Sequence, residues 1–476
     1  MAQAEIGLIG LGVMGANLAL NIAEKGHRIA VFNRTPEKTR HFFETAGALA
    51  DRIIPCETIE EFVAAIRPPR PVIIMIKAGE AVDEQMAALV PHLSGGDIMI
   101  DAGNANFRDT RARFQRLEGS GLTFIGMGVS GGEEGARHGP SIMVGGTPES
   151  YARVEKVLTS IAATYHDEPC CAWLGSDGAG HFVKTIHNGI EYADMQMIAE
   201  VYGILRDGSG KSASEISNIF IEWNKGRLNS YLIEITGTVL AAADPLTGKP
   251  MADIILDKAG QKGTGKWSVI EAQEMGVPAT AIEAAVAARS LSALKAEREK
   301  AEALFGAENA AFAIAFGPDL LKDLELALFA AKIGAYAQGF AVMAEASREF
   351  GWSLPMPVIA KIWRAGCIIR SQFLDEITTA FTAAPDAANL ILTPAFTAMV
   401  KETLPSLRRI VSAATAGGLP VPALASALNW FEAYKRARGT ANLIQAQRDF
   451  FGAHGFERVD GVDRPHGPWG SGAAQQ

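Results

Sequence analysis

The short apolar run Ile6–Ile9 breaks at Gly10-Leu11-Gly12-Val13-Met14-Gly15 and passes into an amphipathic stretch, Ala16–Lys25. No other segment limits the possible folds as much. Glycines at this spacing permit a tight strand-to-helix turn. They also let an anion approach the free N–H groups and positive dipole end of the helix that follows, which is how a pyrophosphate is held. A strand on one side and a helix on the other turn the string from a common motif into a dinucleotide signal.

The next stretch repeats the same alternation. Ile29–Phe32, Val72–Ile76, Ile98–Ile100 and Thr123–Ile125 read as further strands separated by amphipathic segments, the pattern of a parallel sheet with crossover helices that runs to about Val144. Beyond Gly180 the texture becomes Ala-, Leu- and Met-rich, as in Thr280–Ala303 and Asp319–Phe350, and the chain is expected to be almost wholly helical. Lys332–Glu345 faintly echoes Lys184–Glu200 as a weak repeat. A last boundary falls near Arg438-Gly439, after which Asn442–Phe451 reads as one short helix in an end rich in Gly, Pro and charge. The expected organisation is an α/β Rossmann-type N-terminal domain over 1–179, a large all-α domain over 180–437, and a short C-terminal tail, 438–476, with little core of its own.

At 476 residues, 48% hydrophobic and 20% charged, the chain has enough apolar material for two or three cores. A net charge of −9 argues against a nucleic-acid surface, so an anionic ligand must meet local cations. Cys56, Cys170, Cys171 and Cys367 contain no C-x-x-C pair and make no disulfide framework, which fits a cytoplasmic protein. Met1–Ile9 lacks the basic start and apolar core of a signal peptide, and no uninterrupted apolar run reaches the length of a membrane span. With no H-E-x-x-H, no zinc-like spacing and no clustered Asp motif, no catalytic metal is expected.

The second strand ends at Phe32-Asn33-Arg34-Thr35, where an NAD site would place a carboxylate for the ribose 2′-hydroxyl. Here Arg34 offers a guanidinium fork that suits a 2′-phosphate, with Asn33 and Thr35 as supporting donors, so NADP is the expected cofactor. Two further strand-end loops, Ile76-Lys77-Ala78-Gly79 and Asp101-Ala102-Gly103-Asn104-Ala105-Asn106, lie where open α/β sheets bind ligands; Lys77 and Asn104 are candidates for the nicotinamide half.

The chemistry is concentrated in Phe182–Tyr192, where Lys184, His187, Asn188 and Glu191 stand at i, i+3, i+4 and i+7 on one helical stripe while Val183, Ile186 and Ile190 fall on another. Such spacing often marks only a solvated face with weak ion pairs, but imidazole and amide groups add little to solubility. The chain break Gly175–Gly180 just before it suits a helix lining a cleft, able to present an acid and a base to one molecule. Gly126–Arg137 reads as too glycine-rich for a strand and is expected to expose backbone N–H groups around Ser130, Gly131 and Gly132. Ala259–Trp267 imitates a P-loop, but Trp267 stands where a hydroxyl should hold magnesium; what remains is a flexible loop with Lys262, Thr264 and Lys266 suited to a substrate phosphate. Arg289 and Arg448 are candidates for added bidentate contacts.

Val129–Arg137, Gly178–Tyr192, Gln261–Trp267, Gly366–Arg370 and Leu443–His454 resemble the 6-phosphogluconate dehydrogenase family, NADP-linked and decarboxylating, and the likeness runs over essentially the whole chain. Carried over residue by residue, it implies that Lys184 is the general base and later acid, and that Glu191 protonates carbon 1. It gives Asn104, Ser130, Gly131, Gly132, His187 and Asn188 to the substrate's hydroxyl and carboxylate groups. Tyr192, Lys262, Thr264, Arg289 and Arg448 would hold its phosphate, and His454 would complete the pocket. Cofactor contacts are expected, from the motif and the strand ends, at Gly10–Gly15, Asn33–Thr35 and Ile76–Ala78, with Asn104 shared. The resemblance also implies a homodimer in which Arg448 and His454 reach the partner's site from the tail. Ala102, Ala105, Val144 and Gly455 depart from the family pattern without removing a proposed catalytic group. Two rivals stay open: a β-hydroxyacid dehydrogenase for a small unphosphorylated acid, and an NADP-binding sensor without catalysis.

Overall fold

Among the described residues ten short strands form: β1 (Ile6–Ile9), β2 (Ile29–Phe32), β3 (Ile53–Cys56), β4 (Pro71–Ile74), β5 (Ile98–Asp101), β6 (Thr123–Val129), β7 (Ile142–Val144), β8 (Thr164–Tyr165), β9 (Glu168–Pro169) and β10 (Cys171–Trp173). The coordinates are a computed structural model describing residues 3–261, 263–306 and 312–469. β8 and β9 make a small hairpin, and the rest make one sheet in the order β10-β7-β6-β5-β4-β1-β2-β3. Neighbours from β3 across to β6 are parallel; β7 runs antiparallel to β6, with β10 parallel to β7. The order reverses between β1 and β4, the switch point at which doubly wound sheets bind ligands.

Successive side chains alternate between two buried layers, as a sheet covered on both faces requires. Ile6, Leu8, Ile29, Val31, Ile73, Ile98 and Ile100 pack with Leu18 and Ile22; Ile9, Phe32, Val72, Ile74 and Met99 pack with Phe62, Val82 and Met86. The crossover helices are α1 (Val13–Glu24), α2 (Pro36–Thr45), α3 (Ile59–Ala65), α4 (Glu80–Leu89) and α5 (Phe107–Arg116), followed by α6 (Gly132–His138) and α7 (Pro148–Ile161).

Two sequence expectations need correction here. α1 begins at Val13, inside the glycine motif, not at Ala16. The segment expected to be too glycine-rich for a strand continues β6 through Gly126, Met127, Gly128 and Val129, and Gly132–His138 is a helix. The reason is close packing: a methyl group at Gly128 would lie 2.5 Å from Lys184 Cβ, so the strand needs glycine where a helix lies across it.

That helix is α8 (Ala179–Gly203), and beyond it the chain is helical: α9 (Ala213–Trp223), α10 (Tyr231–Ala241), α11 (Met251–Ile254), α12 (Thr264–Glu274), α13 (Thr280–Ser292), α14 (Lys295–Phe305), α15 (Pro318–Phe350), α16 (Met356–Ile362), α17 (Phe373–Ala383), α18 (Pro394–Ala416), α19 (Pro422–Tyr434) and α20 (Ala441–Gly452). The stretch Thr280–Ala303 is thus two helices, broken at Ala293-Leu294. α15 is long and apolar enough to cross a membrane by length and composition, yet 89% of its most apolar window is buried inside this fold. It packs on α8, and the buried pair Lys332–Asp194 joins the two helices at 2.8 Å.

Contacts divide the chain into two compact units, 1–428 and 429–476. The second contains α20, capped at Ala453 in the left-handed region, and Asp449 on that helix is a buried polar hub. Asp449 accepts the N–H groups of Gly455 and Gly467 at 3.0 and 2.9 Å and the Trp469 indole N–H at 3.0 Å, with His466 Nδ1 at 2.7 Å.

Candidate active site

α8 crosses the carboxyl end of β6 and carries its polar stripe into the interior. Lys184 is 7% exposed and His187 fully buried, so the stripe is no solvated face. Lys184 Nζ donates to Ser130 Oγ at 2.9 Å, and Ser130 Oγ lies 3.4 Å from His187 Nε2. His187 Nδ1 lies 3.2 Å from Asn188 Oδ1. A neutral imidazole protonated on Nδ1 satisfies all these partners: it donates to Asn188 and accepts the serine hydroxyl proton at Nε2, a tautomer inferred from its neighbours.

Burial sets the protonation states. It pulls the Lys184 pKa down from its ordinary value, with the nearby Glu191 carboxyl opposing. It pushes His187 well below its usual range, with the Lys184 charge acting in the same sense. Glu191, 19% exposed, is raised by burial, with Lys184 and Arg289 opposing. Its oxygen stands 3.8 Å from His187 Nδ1, but beside a neutral imidazole this is no ion pair. One helix therefore holds a lysine biased toward the free amine and, two turns on, a carboxyl biased toward its acid form, the pairing that general base and general acid work requires.

A cleft of about 430 Å³ opens at the switch point, lined by Gly10, Asn33, Arg34, Thr35, Lys38, Ile76 and Lys77 among others. Gly10 takes a φ of +100°, and a methyl group on it would meet the Met75 carbonyl at 2.4 Å. At Gly12 a methyl group would meet nothing within 4 Å, so the turn leaves an open approach to the start of α1. That helix has no side-chain cap and no acidic residue in its first turn, leaving its N-terminus suited to a pyrophosphate. Leu11 donates its N–H to Asn33 Oδ1 at 3.0 Å, and Asn33 Nδ2 donates to the Thr35 carbonyl at 3.3 Å. Asn33 thus braces the turn that presents Arg34. Val13 and Met14 open α1, Gly15 is buried beneath the turn, and Ala78 follows Lys77. The residues fit a dinucleotide with an added phosphate.

The residues assigned to the substrate phosphate are partly assembled. Arg289, on α13, stacks its guanidinium 3.8 Å from the centre of the Tyr192 ring on α8. Thr264 is buried in the first turn of α12, behind Gly263 at φ +100°. The P-loop imitation runs into this helix, and among the described residues no strand leads into it, so it lacks a P-loop's context. Lys262 lies outside the described residues. Asn104 is exposed on the loop after β5, Gly131 and Gly132 turn the chain into α6, and the Ser130 N–H, expected to be free, is donated to the Ser141 carbonyl at 3.0 Å. In the second unit, Arg448 donates to Gln445 Oε1 at 3.2 Å, and His454 is exposed just past α20.

Three neighbours were not singled out from sequence. Lys38, in the first turn of α2, shares the cleft with Arg34, which precedes that helix. Trp363 stacks edge-on against His187 with centres 5.3 Å apart, and the buried Cys367 thiol, which burial pushes up to about 12, feels the Lys184 charge. Neither is marked by spacing, since both come to α8 from far along the chain.

A doubly wound sheet with a phosphate-accepting cleft, followed by a helix that buries a lysine and a carboxyl, defines a dinucleotide-dependent dehydrogenase. Two family models cover the chain: the NAD binding domain of 6-phosphogluconate dehydrogenase over residues 5–175 and the 6-phosphogluconate dehydrogenase C-terminal domain over 180–469. The NADP(+)-dependent, decarboxylating 6-phosphogluconate dehydrogenase of Bacillus subtilis is 48% identical over 98% of this chain and 100% of its own. The decarboxylating enzyme 1 of Saccharomyces cerevisiae is 47% identical over 95% and 93%. The Plasmodium falciparum 6-phosphogluconate dehydrogenase, solved in its apo form, with NADP+ and with 6-phosphogluconate, superposes with a TM-score of 0.94 at 42% identity, covering 98% of this chain and 100% of that one. The chain belongs to the 6-phosphogluconate dehydrogenase family.

Proposed function

We propose that the protein oxidises and decarboxylates 6-phospho-D-gluconate to D-ribulose 5-phosphate and carbon dioxide while reducing NADP. The observation that carries this reading is the opposed bias of Lys184 and Glu191 on one buried helix. NADP, when bound, supplies the hydride acceptor. The neutral Lys184 amine takes the proton of the substrate's 3-hydroxyl as hydride leaves carbon 3, giving a 3-keto acid prone to lose carbon dioxide. The Lys184 ammonium then donates to the carbonyl oxygen as the enediol forms, and Glu191 delivers a proton to carbon 1. Ser130 and neutral His187 hold Lys184 and meet substrate hydroxyl or carboxylate groups, together with Asn188, Asn104, Gly131 and Gly132. Arg34, with Lys38 beside it, meets the 2′-phosphate, while Tyr192, Thr264, Arg289 and Lys262 hold the substrate phosphate.

The same reading gives a 1–179 nucleotide-binding domain, a 180–437 helical domain and a 438–476 tail, in a cytoplasmic homodimer whose Arg448 and His454 complete the partner's pocket. An apolar groove between α8 and α10, lined by Met195, Ile198, Leu232, Ile235 and Val239, supports association. Purified protein mixed with NADP and 6-phosphogluconate, without added metal, is expected to release carbon dioxide and NADPH in equal amounts. Reduction without gas would favour a simple hydroxyacid dehydrogenase, and cofactor binding without turnover a sensor.

A further inference from the structure

The inward stripe of α5, Thr110 and Arg113, takes no part in the steps above, yet it ties together the loops that flank the cleft. Arg113 is 1% exposed. Its Nη2 donates to the Gly79 carbonyl at 2.9 Å and to Asp83 Oδ2 at 2.7 Å, its Nε to Asp83 Oδ1 at 3.2 Å, and its Nη1 to Asp101 Oδ2 at 3.2 Å. Gly79 closes the loop that carries Lys77, and Asp101 ends β5 just before the loop that carries Asn104. The second Asp101 oxygen accepts the Gly103 N–H at 3.1 Å, one residue before Asn104. One turn back, Thr110 Oγ1 donates to the Asn106 carbonyl at 3.2 Å and lies 2.7 Å from His181 Nδ1, and His181 stands one turn ahead of Lys184 on α8.

Burying a guanidinium is unfavourable unless its donors are used, and a packed apolar side chain often stabilises a fold as well as a buried ion pair does. An apolar side chain cannot fix three segments in register, because it lacks directional donors. The planar fork does so, with separate N–H groups aimed at Gly79, Asp83 and Asp101.

We propose that Arg113 is a positioning residue for hydride transfer, locking the Lys77 and Asn104 loops to each other and, through α5, to the helix that carries Lys184. This deepens the proposed function and rests on it. Misplacing reacting groups by about 1 Å lowers rates on the order of 100-fold, so a loosened lock slows hydride transfer without removing any group that touches the substrate.

Two variants separate positioning from stability. Arg113→Lys keeps the charge and loses the fork; Arg113→Met combined with Asp83→Asn and Asp101→Asn removes the guanidinium and both of its carboxylate partners together. Each is compared with the parent by melting temperature, kcat, both KM values and the primary deuterium effect on kcat with 6-phosphogluconate deuterated at carbon 3. In Arg113→Lys, kcat is expected to fall about 10- to 100-fold with a larger isotope effect and a raised KM for NADP. The triple variant is expected to show the same kinetic loss while melting close to the parent; if it does not fold, Arg113→Lys decides. A folded variant with the parent's kcat and isotope effect overturns the proposal, as does a slower variant whose isotope effect is unchanged. A parent that reduces no NADP with this substrate overturns the functional reading instead, so the two failures are distinct.

Discussion

Replacing Gly128 by alanine tests how the fold places Lys184, the proposed base. The added methyl would sit 2.5 Å from Lys184 Cβ and 3.1 Å from both Lys184 Cγ and the Gly180 carbonyl. Carbon atoms in contact rest about 3.5–4.0 Å apart, so α8 must recede from β6 by roughly 1 Å. Overpacking of this kind destabilises by about 1–3 kcal/mol. The larger effect falls on chemistry: the 2.9 Å bond from Lys184 to Ser130 is stretched beyond hydrogen-bond range, and a shift of about 1 Å lowers kcat on the order of 100-fold. Steady-state kinetics and a thermal melt on the same sample give both numbers, with KM for NADP expected to hold. Gly203→Ala makes the same chemical change at the last residue of α8, where the backbone is helical and nothing lies within 4 Å. It is expected to stabilise by up to about 1 kcal/mol and leave kcat alone. A Gly128→Ala enzyme with parental kcat refutes the close-approach argument.

Glu200 is buried, accepts the N–H groups of Ala423 and Leu424 at 2.8 and 2.9 Å, and is raised to about 7 by burial, those bonds opposing. Its folded value lies above its unfolded one, so the stability it contributes is present at acid pH and is lost as pH rises from about 4.5 through about 7. Melts of Glu200→Gln should gain on the parent by on the order of 3 kcal/mol between pH 4.5 and 8; a constant offset across that range contradicts the assignment. Arg34→Asp should lower the NADP-to-NAD ratio of kcat/KM by a hundredfold or so, and an unchanged ratio rejects the 2′-phosphate role. Lys332→Met strands Asp194 in the core and should cost about 3–5 kcal/mol in urea melts, most of it recovered when Asp194→Leu is added; additive losses would show that the pair is not coupled.

The legible parts of the fold were those with local signals. The glycine turn, the strands at Ile6, Ile29 and Ile98, and the lysine stripe declare themselves through residue type and period. β3 was missed because Ile53-Ile54-Pro55-Cys56 is short and contains proline, and β7 and β10 because three-residue strands carry almost no period. Gly126 and Gly128 misled for a physical reason: their absent side chains serve the helix across the sheet, a contact no local rule sees. The same holds for Trp363 and Cys367 at the site, and for Arg113, whose partners lie on separate loops.

Single-turnover mixing of enzyme, 6-phosphogluconate and excess NADP, with NADPH absorbance, carbon dioxide and pentulose phosphate followed together, addresses the division of labour along α8 most directly. Lys184→Ala should bind NADP normally and give no NADPH burst, while Glu191→Gln should form NADPH at close to the parental rate and stall before pentulose phosphate is released. A parental burst in Lys184→Ala, or equal slowing of both phases in Glu191→Gln, would contradict the account of one helix supplying first a base and then an acid.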